Sequence, residues 1–544
     1  FKEMYLRYFA WQFIGKENWK ERSWTRNSLD GTPLISMRPL QGVDVWRYGI
    51  PLAFLIGLFG IFYHFKRDPK RALSVLTLFI LTGLAIVVYL NQSDPQPRER
   101  DYAYVGSFFA FAIWIGIGCY GILSEIRKKI NLNPKITALI LLVSMPLMMG
   151  LKDWHEHDRS SRYEAWDYAY NLLNSCKPNG ILFTNGDNDT FPLWYIQEVE
   201  KIRQDVKIVN LSLLNFPSYI RQLDEHTPSL NMFNLDTAEE NTDKYLEVVE
   251  SENYEALMEY AFKHWLKNDY TINIKTETGK KFNWQFNPGT YGIGLTNITI
   301  MKIIEKCFDK YPIYFSTTTG NNNLGLDDYL IQEGLVYRLV NQKNNTPMDI
   351  RMNINKTIQM ITKSMGEPKL EDGTFKDINN NGKWDKELII RTKSDYEQYM
   401  KWLDEYPGLG IYRYNKLDDQ EIFYGPNIER LAANYRNVFF KTATNIALDL
   451  DRKNHLLKSF DIINLNNQYF PSDVIPTEIS YDYGALSYCQ SMLQVLQYKI
   501  EQNQLQKNTE LENDIKLIEK NITLLLSNVN PELVQKYFPD FYTK

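Results

Sequence analysis

The chain has 544 residues, room for about three to five domains at ~100–200 residues each. Hydrophobic residues make up 44% and charged residues 23%, which excludes a wholly disordered chain. The balance of 61 Lys and Arg against 66 Asp and Glu excludes a strongly basic nucleic-acid binder and a polyacidic tail protein, and four cysteines are too few for a disulfide-built scaffold. The sequence opens on Phe1 with no charged leader or cleavage site, so it reads as a piece of a longer protein.

In chain order, residues 1–46 form an outward interfacial segment. It begins FKEMYLRYFAWQFIG, with Lys2, Arg7 and Lys16 set among aromatic and aliphatic residues. That mixture suits a helix at the bilayer surface, or the end of a further span. Trp19, Trp24 and Trp46 extend an aromatic belt.

Residues 47–151 hold four apolar runs, at 48–65, 72–90, 103–123 and 136–151. A spanning helix needs about 17–25 such residues, so four transmembrane helices are expected; Lys135 and Lys152 can snorkel from the ends of the shortest run. The mean hydropathy of −0.39 averages this block with a longer polar region. Lys66, Arg67, Lys70 and Arg71 follow the first run, and Arg127, Lys128, Lys129 and Lys135 follow the third. By the positive-inside rule both loops are cytoplasmic. The second loop and everything after Leu151 then face outward.

Residues 152–340 alternate helix and strand signals. GILFTNG, VKIVNLSLL, YPIYFS and EGLVYRLV read as strands, and RYEAWDYAYNLLNSC, DTFPLWYIQEVEKI and TNITIMKIIEKC as helices. This pattern predicts an extracytoplasmic α/β domain with a largely parallel sheet. Residues 341–420 are polar and rich in Asn, Asp, Lys and Gly, and read as an insertion or linker with little core of its own. Residues 421–544 form a helical tail, either tetratricopeptide-like or a plain bundle.

Four motifs carry candidate chemistry. NQSDPQPRERDYAYVG sets Asp94, Arg98, Glu99, Arg100 and Asp101 at the outer mouth between two spans. An arginine there holds a lipid phosphate through a two-pronged contact; a solvated loop with ion pairs such as Arg98 with Asp94 is the alternative. Asp187, Asn188 and Asp189 lie after a strand and before a helix. In an open α/β sheet that is where ligands bind, although one of them is explained by helix capping alone. Asp377, Asn379, Asn381 and Asp385 stand at the first, third, fifth and ninth positions of a Ca²⁺ loop, with Glu387 one place before the twelfth. His155 and His157 flank Glu156; a zinc site there would need an extended backbone and further ligands, and a polar collar is the alternative. Cys176, Cys307 and Cys489, all outward, permit one disulfide. No Walker loop, GxSxG or CxxC occurs.

QPRERDYAYVGSFFAFAIWIGIG, ILFTNGDNDTFPLWYIQEVE, VKIVNLSLLN and YPIYFSTTTGNNNLGLDDYLIQEGLVYRLV resemble a bacterial membrane family long labelled as a domain of unknown function. That family is similar to protein O-mannosyltransferases of the glycosyltransferase-C superfamily. The resemblance runs from about Met4 to Val340 and more loosely through the tail. It implies the C-terminal half of an inner-membrane glycosyltransferase with residues 152–544 in the periplasm. A sugar, mannose in this expectation, would move from a polyprenyl-phosphate carrier to Ser or Thr of exported proteins. The family's catalytic carboxylate lies in an N-terminal half outside this chain, so no catalytic residue is assigned here. The resemblance adds to the lipid-phosphate role of Arg98 and Arg100, with Asp101 in support. Two rival classes remain: a non-catalytic scaffold whose periplasmic domain binds envelope partners, and a transport or export component. A transporter would be expected to carry ionisable residues within its spans, and these runs are nearly free of them.

Overall fold

The computed structural model describes residues 2–17, 42–91, 99–130, 133–226, 228–230, 249–251, 253–286, 293–320, 323–344, 351–363, 373–374, 376–378, 380, 382–383, 385, 388–405, 410–475, 479–506 and 508–539. It divides into two compact units, Phe1–Ser160 and Ser161–Lys544.

The first unit is helical. A π-helical turn, Lys2–Leu6, runs into α1 (Arg7–Phe13). Tyr5, Tyr8, Trp11 and Phe13 are buried against Tyr104, Phe108, Phe111 and Trp114, so the amino-terminal segment is tied into the unit by ring packing. Trp19, Trp24 and Asp94 lie outside the described residues. Then follow α2 (Leu52–Arg67), α3 (Pro69–Leu81), α4 (Leu84–Leu90) and α5 (Val105–Ile130). The last two are α6 (Pro134–Leu142) and α7 (Met148–His157), joined by a π turn that holds Pro146. Asp68 caps α3 by accepting from the Arg71 N–H, and Pro69 sits in the first turn, where no donor is needed.

Among the described residues three helical stretches are long and apolar enough to cross a membrane: Pro69–Leu90, Asp101–Lys128 and Pro134–His157. This is the signature of a membrane protein. Their outer faces expose Leu81, Val88, Leu139 and Leu151, as lipid-facing surface does. The first apolar run gives a shorter helix than expected. Residues 45–50 form turns, Pro51 precedes the helix, and α2 has 16 residues, short of the ~20 that a span takes. It packs very closely on α5 through glycines. A Cβ at Gly60 would lie 1.8 Å from the Trp114 carbonyl oxygen, and one at Gly118 would lie 2.3 Å from that of Ile56.

The second unit builds a five-stranded sheet from β1 (Ile181–Thr184), β2 (Lys207–Asn210), β5 (Ile313–Ser316), β6 (Leu330–Glu333) and β7 (Val336–Leu339). The order is β2-β1-β5-β7-β6. β1 runs parallel to β2 and β5, whereas β7 is antiparallel to both β5 and β6. The sheet is therefore mixed, not largely parallel. Gly334 and Leu335 are the whole link between β6 and β7, with Gly334 at φ +62°. A two-residue link makes a hairpin, while a parallel pair needs a crossover of a dozen or more residues. A separate hairpin pairs β3 (Thr271–Lys275) with β4 (Lys281–Gln285).

Strand alternation feeds two cores. Leu182 faces α8 (Glu164–Ser175), α9 (Asp187–Glu198) and the helices after residue 390. Ile181 and Phe183 face α10 (Pro217–Glu225), α11 (Tyr254–His264), α12 (Leu295–Cys307) and the β3–β4 hairpin. Residues 341–420 are more than a polar connection. Met360 and Ile361 from α13 (Ile354–Ile361), Trp402 from α14 (Lys393–Glu405), and Tyr412 and Tyr414 beyond it are buried in the first core. That core continues into α15 (Pro426–Leu448), α16 (His455–Tyr469), α17 (Ile479–Gln506), α18 (Thr509–Leu526) and α19 (Pro531–Tyr537). α15 packs on both α16 and α17, and α17 on α18. All four cysteines are free thiols.

Candidate functional site

Residues 99–101 of the charged motif sit where the chain enters the longest apolar helix. Glu99 is its fixed point. Arg7 donates to it twice, Nη1 to Oε1 at 3.0 Å and Nη2 to Oε2 at 2.7 Å, and the Tyr8 hydroxyl donates at 2.6 Å. The Arg7 guanidinium also lies 4.6 Å from the Tyr8 ring and 4.5 Å from the Trp11 ring, a stacked, pre-organised clamp. Burial pushes the Glu99 carboxyl up; the bonds from Arg7 and Tyr8 and the charges of Arg7 and Lys16 outweigh it and hold the carboxyl below the ordinary glutamate value. The sequence names Glu99 but not its partner, which lies 92 positions away.

Arg100 is half-buried, and its backbone N–H donates to the Tyr8 hydroxyl at 3.1 Å. Its Nε is buried and has no partner among the described residues. Asp101 accepts from Gln12 Nε2 at 3.4 Å, a long and weak bond. Arg98 lies outside the described residues.

A second ion cluster joins the start of the first apolar run to the end of the last. Arg47 donates to Asp153 from Nε at 2.8 Å and to Glu156 from Nη2 at 2.6 Å, and the Tyr48 hydroxyl also donates to Asp153. His155 and His157 lie on helical backbone in α7, which sets residues two apart on different faces, so no zinc geometry forms.

In the second unit Asp187, Asn188 and Asp189 open α9 at the carboxyl end of β1. Asp189 is buried. Its Oδ2 accepts from Asn185 N and its Oδ1 from Gly186 N, both at 3.2 Å, and the Thr318 hydroxyl donates to it as well. Asp189 therefore caps α9 and ties the end of β1 to the loop after β5. Asp187 and Asn188 are exposed on the same turn.

Beside that turn lies a cleft of about 590 Å³, lined by Asn185, Ser212, Asn215, Thr296, Asn297 and Asp327 among others. Apart from Asn185, which stands beside the 187–189 motif, the sequence pattern does not mark these residues. The available signal was the density of Asn, Ser and Thr just after predicted strands and at the start of a predicted helix.

Of the Ca²⁺-loop residues, Asn379, Asn381 and Glu387 lie outside the described residues. Asp377 Oδ2 accepts from Gly382 N at 2.6 Å, which closes the turn at Gly382. Among the described residues no group of three or more His, Cys, Asp or Glu side chains is placed to hold a metal.

Comparison with known proteins adds the following. The family described as TMEM260-associated domain 2 matches residues 165–288 and 266–358. The protein O-mannosyl-transferase tmem260 of Dictyostelium discoideum is 22% identical over 183 residues, covering 30% of this chain and 22% of that protein's own length. No solved structure matches.

Proposed function

We propose that the chain is part of an integral-membrane glycosyltransferase that moves a sugar, mannose in this reading, from a polyprenyl-phosphate carrier to Ser or Thr of exported proteins. The observation that carries the reading is the likeness to a protein O-mannosyl-transferase. Arg100 supports its chemistry. Arg98 and Arg100 bind the donor phosphate at the outer mouth, with Asp101 orienting them, because Glu99 is already committed to Arg7 and cannot neutralise them. The acceptor hydroxyl loses its proton as the phosphate leaves; no base for that step is assigned within this chain.

In this reading the short α2 is a fourth span, accommodated by local thinning of the bilayer. The loop at 66–71 faces the cytoplasm of a bacterial inner membrane and residues 152–544 face the periplasm. There the second unit and its tetratricopeptide-like tail hold the acceptor protein, with Asp187 and Asn188 on the exposed turn of α9. Ca²⁺ bound by Asp377, Asn379, Asn381, Asp385 and Glu387 would stiffen the loop between α13 and α14. Calorimetry of the full chain with Ca²⁺ tests this, and silence leaves the loop a plain turn.

Donor binding tests the main reading. In the full chain, Arg98→Ala with Arg100→Ala should weaken binding of polyprenyl-phosphate mannose by about 10- to 100-fold, the loss of charge-assisted bonds. Unchanged binding and transfer in the double variant would refute the phosphate role.

A further inference from the structure

The cleft beside α9 has a lining of unusual chemistry. Asn185 follows β1, Ser212 and Asn215 follow β2, Thr296 and Asn297 open α12, and Asp327 comes from the loop before β6. These elements meet at the carboxyl end of the parallel strands, the usual ligand position in an open α/β sheet. The neighbouring gap between β1 and β5 is filled, because Asp189 and Thr318 bond across it.

The polar tips are held in place by one another. Thr296 Oγ1 donates to Asn215 Oδ1 at 3.0 Å and lies 3.3 Å from the Leu211 carbonyl oxygen. Ser212 Oγ donates to the Asn185 carbonyl at 2.7 Å. Asn323 Nδ2 donates to Asp327 Oδ1 at 2.8 Å. Asn297 Oδ1 accepts from Gly294 N at 2.8 Å, which leaves the Asn297 amide NH₂ without a partner among the described residues. The cleft therefore presents a fixed donor at Asn297 and acceptor lone pairs at Ser212, Thr296 and Asp327. Leu211, Leu324 and Ile300 form its apolar floor.

Charge decides the class of ligand. Among the described residues no Lys, Arg or His lines the cleft and Asp327 is its single acidic side chain, so a phosphate would meet repulsion there and no cation. A peptide strand would pair along the open edge of β2, whereas this cleft opens at the strand ends, and its donors and acceptors come from separate elements. Interleaved donors and acceptors over a small apolar floor, in a volume within the usual range for small-molecule sites, match a ring bearing several hydroxyls. We propose that this cleft binds a neutral saccharide. The lining alone points to this ligand class, whatever the chain transfers.

The test uses the full chain in a sugar-free detergent and saturation-transfer NMR. The ligands are mannose, glucose, N-acetylglucosamine, an α-linked mannotriose, inorganic phosphate and a Ser/Thr-containing decapeptide. Asn297→Asp keeps the Oδ1 that caps α12 and removes the amide donor; Ser212→Ala removes an exposed hydroxyl. At least one saccharide should bind, with affinity reduced about fivefold or more in Asn297→Asp, as expected for one lost hydrogen bond. Absence of any saccharide signal, binding of phosphate or peptide in its place, or an affinity unchanged in both variants would overturn the proposal.

Discussion

Arg7 grips Glu99 through two N–H···O bonds of 3.0 and 2.7 Å, joining the amino-terminal helix to the entry of the longest apolar helix. The Arg7 side chain is 7% exposed and that of Glu99 29%, so bulk water screens the pair only in part. A double-mutant cycle with Arg7→Met and Glu99→Gln should give a coupling of about 1–3 kcal/mol in thermal unfolding of the detergent-solubilised protein. The pH dependence has a definite sign. The folded carboxyl lies below its ordinary value, so the pair stabilises at neutral pH. Its contribution fades as the pH falls through the carboxylate range toward the folded value, and Glu99→Gln should flatten that acid limb.

The α2–α5 contact depends on the absence of side chains. A Cβ on Gly60 meets a carbonyl oxygen at 1.8 Å, and backbone cannot yield as a flexible side chain does. Gly60→Ala or Gly118→Ala should cost about 2–4 kcal/mol or abolish folding of the first unit. Gly116→Ala, where a Cβ would meet nothing within 4 Å, should be silent. Limited proteolysis in detergent distinguishes them.

Three consecutive polar residues at the start of α9 should separate cleanly. Asp189→Ala removes the acceptor for two backbone N–H groups and one hydroxyl, and should destabilise the second unit by about 2–4 kcal/mol. Asp187→Ala and Asn188→Ala, on exposed positions, should change stability by no more than about 0.5 kcal/mol. Chemical denaturation reads the difference. A loss of transfer in either exposed variant with stability intact would assign that side chain to a ligand.

Asp482 supplies a pH effect of the opposite sign. Burial pushes its carboxyl up to about 6, against the pull of the Asn530 backbone N–H. Its folded value lies above the ordinary one, so ionising it costs stability. That cost begins as the pH rises past about 4 and is complete above about 6. Asp482→Asn should raise stability at pH 7.5 by about 1–2 kcal/mol and leave it unchanged at pH 4. Melting curves at the two pH values check this.

Much of this architecture is legible in the sequence. ILFT and KIVN, within the segments GILFTNG and VKIVNLSLL, are strands paired in parallel and buried along their whole length, as parallel strands are. The runs at 72–90 and 103–123 lie in long apolar helices. The misses come from short-range signals that depend on one residue or on distant partners. EGLVYRLV reads as one strand, yet Gly334 turns the chain so that LIQE and VYRL pair as a hairpin. The rings of the amino-terminal helix are buried against residues about a hundred positions away, which its local pattern does not show. Arg98 and Asp94 lie outside the described residues, and the partner of Glu99, Arg7, stands 92 positions away, where no local pattern shows it. Capping was the plainer reading of 187–189, and it accounts for Asp189 alone. The polar cleft is not legible in the sequence because its amides and hydroxyls gather from separate stretches of chain, each an ordinary turn by itself.

The most direct test of the proposed activity is glycopeptide mass spectrometry of exported proteins from a strain lacking this gene, beside the parent and a strain carrying the gene again. The account predicts that Ser- and Thr-linked hexose disappears from a defined set of exported proteins on deletion and returns on complementation. Unchanged glycosylation in the deletion strain would contradict it.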